Sequence, residues 1–338
     1  MKGIASLEES HRYDLFQETA NKMGISNAII EKDFWVCLIL DYLFNKSPWQ
    51  NSFAFKGGTS LAKAFHLINR FSEDIDIILD WRVLGYKILE PLTSRSKTKQ
   101  EIFNKEANIK TEIYIEKIIC PKIRKDFSMQ FNPKFDVYVD GNEKQTINIV
   151  YPRIFENSTI LQIVRLEIGV LGAWLPIKKV EIEPYASKYY PNLFDQKTTN
   201  VLTVAPERSF WEKATILHHE ANRPSNLRIP QRYARHYYDL YQMSLSSVKD
   251  VAFAKFALLQ DVVRYKTKFY PRGWAKYDDT LRGALKLFPP DYRLNEIEAD
   301  YNAMKEMLFG DIPDFRLMMD TIKKIEVEFN SKYFKSHE

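Results

Sequence analysis

Apolar residues recur at spacings of three and four from about Leu7 to Phe44, which predicts two helical segments, with Ser26 a candidate N-cap before AIIEKDFWVCLILDYLF. Phe53 to Lys56 reads as a short apolar strand, GGTS as a turn, Leu61 to Asn69 as a helix, and Asp74 to Asp80 as a strand alternating acid and apolar residues. Lys99 to Ala107 reads as helix and Lys110 to Lys117 as strand. Phe135 to Val139 and Thr146 to Tyr151 are alternating or β-branched runs split by the turn-like DGNEK, so they predict a hairpin, and Ile160 to Gly169 continues the sheet. After a Pro- and Tyr-rich connection from Pro184 to Asn192 the composition changes at about Val204. Beyond it the periodicity is helical: about Pro206 to Ala221, Pro230 to Met243, Val248 to Lys266, Tyr292 to Met307 and Pro313 to Asn330. The lobe boundary is therefore expected there, with residues 1–203 bearing the sheet and residues 204–338 helical.

A chain of 338 residues with 45% hydrophobic and 28% charged residues can bury a sizeable core, which excludes disorder over most of its length. Its net charge of +5 does not by itself imply nucleic acid, so local clustering carries that argument. Trp81 to Lys134 holds 12 Lys/Arg against 6 Asp/Glu. Arg264 to Lys286 holds 7 against 2, with Phe269, Tyr270, Trp274 and Tyr277 interleaved, a composition suited to RNA but equally to a solvated basic surface. Cys37 and Cys120 lack zinc or disulfide spacing, which points to a reducing cytoplasm. The opening MKGIASLEES has acids where a signal peptide is apolar, and the run from Phe34 to Phe44 is broken by Asp41 and too short to span a bilayer, so neither secretion nor a membrane is expected. His218 and His219 sit in HHEAN, which is not the zinc-peptidase HExxH.

The chemistry concentrates in FKGGTSLAKAFHLINRFSEDIDIIL, Phe55 to Leu79. Without a Cβ, Gly57 and Gly58 let the backbone approach a polyphosphate closely, while Thr59 and Ser60 offer hydroxyls at the start of a helix whose free N–H groups attract anions. Asp74 and Asp76 flank Ile75 in a strand, so both carboxylates face one side, about 7 Å apart, where they can share a pair of Mg²⁺ ions. A lone GGTS is usually a turn and cap, and a lone DxD an exposed strand face. Together, a glycine turn, one helix and DxD on the next strand bring a phosphate cradle beside metal-binding carboxylates.

These residues resemble the signature of the DNA polymerase β-like nucleotidyltransferase superfamily, in which GG or GS precedes DxD; the spacer from Thr59 to Glu73 is at the long end. KGGTSL followed by RFSEDIDI more closely resembles the AbiEii/AbiGii nucleotidyltransferase toxins of bacterial toxin–antitoxin and phage-defence systems. IIEKDFWV, PERSFWEKATILH, RYARHYYDLYQM and ADYNAM resemble further family segments in order, over roughly Ile25 to Lys332. The resemblance implies an α+β fold: a nucleotidyltransferase lobe with a short mixed sheet flanked by helices, and a C-terminal helical lobe closing the other side of a cleft. It also implies a third carboxylate on a later strand, for which Glu167 in RLEI fits better than Asp136 in FDV. In the helical lobe, Lys213 and Asp239 match a family Lys and Asp, and His236 stands where many members have Asp. Arg232, Arg235 and Asp239 at i, i+3 and i+7 would share a helix face; the alternative is a surface Arg235–Asp239 pair. Phe34, Trp35, Leu38 and Tyr42 read as core, with Glu31, Lys32 and Asp33 capping or bracing the cradle from outside or, as the resemblance allows, lining the cleft.

The activity implied is transfer of a nucleoside monophosphate from an NTP to an acceptor hydroxyl. Asp74, Asp76 and Glu167 would hold two Mg²⁺ ions. Gly57, Gly58, Thr59 and Ser60 would hold phosphates, Lys213 would counter the charge of pyrophosphate, Arg232 and Arg235 would assist, and Asp239 would orient Lys213 or the acceptor. The acceptor suggested is RNA, the tRNA 3′ end being modified by some relatives, and a cognate antitoxin is the implied partner. Two alternatives stand beside this: the same chemistry on a protein or small molecule, and a nucleotide- or RNA-binding regulator without turnover.

Overall fold

The computed structural model, which describes residues 1–72, 74–131, 135–157 and 160–333, divides into two units. Unit 1 comprises Met1–Ala64 and Ser72–Val204; unit 2 comprises Phe65–Phe71 and Ala205–Glu338. Glu73 and Lys134, which end two of the sequence readings, lie outside the described residues, as do residues 334–338.

Unit 1 opens with helices α1 (Lys2–Ala5), α2 (Glu9–Met23) and α3 (Asn27–Asn45). Strand β1 (Phe53–Lys56), helix α4 (Gly57–Lys63) and strand β2 (Asp74–Leu79) follow. Then come α5 (Lys97–Tyr114), α6 (Cys120–Gln130), β3 (Asp136–Val139), β4 (Thr146–Val150), β5 (Val164–Gly169), β6 (Ile177–Ile182), α7 (Tyr185–Tyr189) and β7 (Thr199–Val204). The seven strands form one mixed sheet in the order β3-β4-β5-β2-β1-β7-β6, with β2 parallel to β5 and β1 parallel to β7. β3 and β4 pair as the antiparallel hairpin that DGNEK predicts. α3 is buried at every position from Ala28 to Phe44, so it is a core helix wrapped on all sides, and Phe34, Trp35, Leu38 and Tyr42 are core as expected. Its charges are therefore satisfied internally: Glu31 accepts the N–H groups of Ile154 and Phe155, and Lys32 Nζ donates to the Leu161 carbonyl at 2.6 Å.

Three local readings are corrected. Lys110–Lys117 is not a strand: α5 runs through it and continues by a π turn, Ile115–Ile119, into α6. Burial of Phe103, Ala107, Thr111, Ile115 and Ile119 at every fourth residue sets the helix, whereas the exposed Ile109, Ile113 and Ile118 lend the segment its β-like composition. GGTS is the first turn of a helix rather than a turn before one, and the helix ends at Lys63 instead of reaching Asn69. Phe65–Phe71 packs into unit 2, where Ile68, Arg70 and Phe71 are buried and Arg70 bridges Leu308. β6 and β7 had no counterpart in the reading of the chain.

Unit 2 contains α8 (Pro206–Ala221), α9 (Ala234–Ser244), α10 (Val248–Ala254), α11 (Phe256–Phe269), α12 (Leu294–Ala303) and α13 (Phe315–Tyr333). Trp211 anchors its core, with ring centroids 5.7 Å from Phe253 and 5.1 Å from Phe329. α9 starts at Ala234, not Pro230, because Arg232 takes a left-handed φ of 61° and Asp300 accepts the N–H groups of Arg232 and Ala234, each at 2.7 Å. The helix read from Val248 to Lys266 is two helices broken at Lys255. Among the described residues no helix is long and apolar enough to cross a membrane.

Candidate active site

Alternation along β2 buries Ile75 and Ile77 completely and leaves Asp74 and Asp76 half-buried on the opposite face. The parallel register with β5 sets Asp76 opposite Glu167 and Asp74 opposite Arg165. Asp136, the other candidate for a third carboxylate, is exposed on edge strand β3, with β4 and β5 between it and β2. On the other flank, Lys56 pairs with Asp76, so the chain leaves β1 beside that carboxylate. Gly57 has φ of 78°, and a Cβ there would lie 2.6 Å from Asp76 Cγ; backbone and carboxylate are closer than any side-chain-bearing residue permits.

Burial first, then the charges of Asp76 and Asp74, push the Glu167 carboxyl up to about 7. Among the described residues no three acidic, His or Cys side chains already form a ligand cage. The donor set nevertheless fits a hard divalent ion: three neighbouring carboxylates, with the Asp76 carboxylate lying in the space that a side chain at residue 57 would take. Thr59 Oγ1 donates to the Asp74 carbonyl and Ser60 Oγ to the Gly57 carbonyl at 2.9 Å, both side chains being buried. The Thr59 hydroxyl proton is thus committed to holding α4 against β2, and that of Ser60 to the first turn of α4 itself. Behind α4, Lys63 Nζ lies 2.7 Å from Asp33 of α3 and 3.8 Å from the centre of the Tyr185 ring, while the Tyr185 N–H donates to Asp33. The bracing expected of the Glu31–Asp33 stretch is carried by this buried ion pair.

In unit 2, Asp239 is fully buried and takes a bidentate contact from Arg70, Nε at 2.6 Å and Nη2 at 2.9 Å, together with Lys213 Nζ at 2.6 Å. Burial alone would raise its carboxyl pKa; Arg70 and Lys213 outweigh burial and hold it well below the usual carboxylate range. Burial lowers the Lys213 ammonium, with Asp239 opposing. Burial and the Lys213 charge keep His236 far below its usual value, so the neutral ring accepts from Lys213 through Nδ1 at 3.2 Å. The Asp239 oxygens are held by Arg70 and Lys213 rather than in a surface pair with Arg235. Arg235 is exposed on α9 and Arg232 precedes the helix, so the shared helical face does not include Arg232. Arg70 opens the RFSEDIDI segment but receives no role from the motif reading, because the partner that explains it lies 169 residues away.

The family model described as nucleotidyl transferase AbiEii toxin, type IV TA system, matches residues 38–325. No curated protein matches the chain. Among solved structures it is similar to MenT4, a nucleotidyltransferase toxin from Mycobacterium tuberculosis H37Rv, at 15% identity and a TM-score of 0.46, covering 96% of this chain and 99% of that one.

Proposed function

From the premise that the chain belongs to the AbiEii nucleotidyltransferase toxin family of type IV toxin–antitoxin systems, we propose that it transfers a nucleoside monophosphate from an NTP to a terminal hydroxyl of RNA, the tRNA 3′ end in particular. The family brings with it an antitoxin partner and an NTP substrate; growth arrest or phage defence in the cytoplasm is the setting we assign. One observation carries the reading: Asp76 lies between Glu167 on one neighbouring strand and the Lys56–Gly57 backbone on the other.

Asp74, Asp76 and Glu167 would hold divalent ions, two Mg²⁺ in our reading, whose bound charge lowers the pKa of an acceptor hydroxyl and offsets that of the triphosphate. The N–H groups of Gly57 and Gly58 are the protein's phosphate contacts, and Thr59 and Ser60 shape the turn that presents them. Lys213 is the counter-charge for departing pyrophosphate, oriented by Asp239, which Arg70 fixes. Arg235 and Arg232 are secondary contacts. Exposed Lys97, Lys99, Lys105 and Lys110 on α5, and exposed Arg272, Lys276 and Lys286 in unit 2, favour a polyanionic acceptor. Incubation with each of the four α-labelled NTPs, Mg²⁺ and an extract of RNA and protein tests the reading. Label should enter RNA and be lost in a folded Asp76→Ala variant; label on protein, or unchanged transfer by that variant, would refute it.

A further inference from the structure

Arg165 stands opposite Asp74 in the β2–β5 register and two residues before Glu167, so it shares the face of both. Its guanidinium lies 3.7 Å from Asp74, 3.6 Å from Glu167 and 3.5 Å from Asp140, and pairs directly with Glu143. These partners fall into two groups. Asp74 and Glu167 belong to the carboxylates read above as divalent-ion ligands. Asp140 and Glu143 belong to the turn between β3 and β4, which is internally braced: Asp140 accepts the N–H groups of Asn142 at 2.9 Å and Glu143 at 3.0 Å, and the Asn148 amide at 2.9 Å. A charge that cannot be lost by deprotonation is thereby tethered at the turn while it leans on two ligand carboxylates.

We propose that Arg165 is the resident counter-ion of the Asp74–Glu167 carboxylates, competing with an incoming divalent ion, and that the Asp140–Glu143 turn retains the guanidinium when the ion binds. The inference rests on the reading of these carboxylates as ion ligands. In the free protein Arg165 relieves repulsion among the acids. It also makes the site a weak one for an ion alone, so that an ion binds well only when a triphosphate adds its own negative oxygens. Ion loading is then coupled to NTP binding through a residue that touches neither reacting atom.

Binding of Mn²⁺ alone, without nucleotide, followed by electron paramagnetic resonance, tests this with a readout independent of turnover. Arg165→Met should tighten Mn²⁺ binding about tenfold. Glu143→Gln should weaken it severalfold, because Arg165 then leans more fully on Asp74 and Glu167, and that weakening should vanish in the Arg165→Met background. Unchanged or weaker binding by an Arg165→Met protein with a native circular dichroism spectrum would overturn the inference, since a merely structural arginine would loosen the site on removal. Should Arg165→Met fail to fold, Glu143→Gln decides alone, and unchanged or tighter binding refutes. If the unaltered protein and Asp76→Ala bind Mn²⁺ alike, the ion-ligand reading itself fails, an outcome distinct from failure of the Arg165 role.

Discussion

Asp239 shows how a buried charge is made tolerable, since its two oxygens are divided between a planar bidentate arginine and a lysine. Asp239→Asn leaves Arg70 and Lys213 buried beside a neutral amide and should cost about 3 kcal/mol in denaturant unfolding. The pH dependence has a definite sign. Because the folded-state pKa is depressed, the unfolded chain takes up a proton at this residue first as pH falls; the stabilisation is complete above about pH 4 and lost below it. Unfolding midpoints measured across acid pH should therefore fall more steeply for the unaltered protein than for Asp239→Asn. At Gly57, alanine would overlap the Asp76 carboxylate and strain a left-handed φ. Gly57→Ala should lower transfer on the order of a hundredfold while costing about 1–3 kcal/mol of stability. Near-normal turnover would show that the close approach does not matter.

At the scale of elements, the buried Asp33–Lys63 pair joins the core helix α3 to α4. Asp33→Asn should destabilise the protein by about 3–5 kcal/mol, and Asp33→Asn with Lys63→Met should recover part of that loss in the same unfolding assay. The elements that the chain disclosed best are those whose periodicity and burial agree: α8 runs over Pro206–Ala221 as read, and β2 alternates as DIDIIL demands. Asp74 and Asp76 stand out in the sequence because a glycine turn precedes DxD, and Glu167 because an acid in an apolar strand is costly without a partner; the β2–β5 register sets Asp76 opposite Glu167. What was hidden depended on partners distant in sequence. α5 looks like a strand at Lys110–Lys117 because apolar residues on its exposed face mix with the buried series. β6 carries two adjacent lysines and presents little apolar alternation, so only its pairing with β7 makes it a strand. Arg70 lies 169 residues from the Asp239 it binds, and no local pattern reports such a contact.

For the whole molecule, the composition of the basic stretches is only partly a surface property. Phe269 and Tyr277 are core, Lys266 donates to the Glu212 carbonyl, and Arg264 pairs with Asp261, whereas Arg272, Lys276 and Lys286 are exposed. Reversing those three exposed charges should reduce transfer to RNA at least tenfold with little change in NTP affinity, and RNA binding should weaken steeply between about 50 and 200 mM salt. Indifference to both would remove RNA as the acceptor. The measurement that bears most directly on the central claim compares α- and γ-labelled NTP on purified tRNA, either intact or with its 3′-terminal diol oxidised by periodate. Transfer to a terminal hydroxyl predicts label from the α position only, on intact tRNA only, and none with Asp76→Ala. Equal labelling of oxidised tRNA, or incorporation of the γ label, would contradict it.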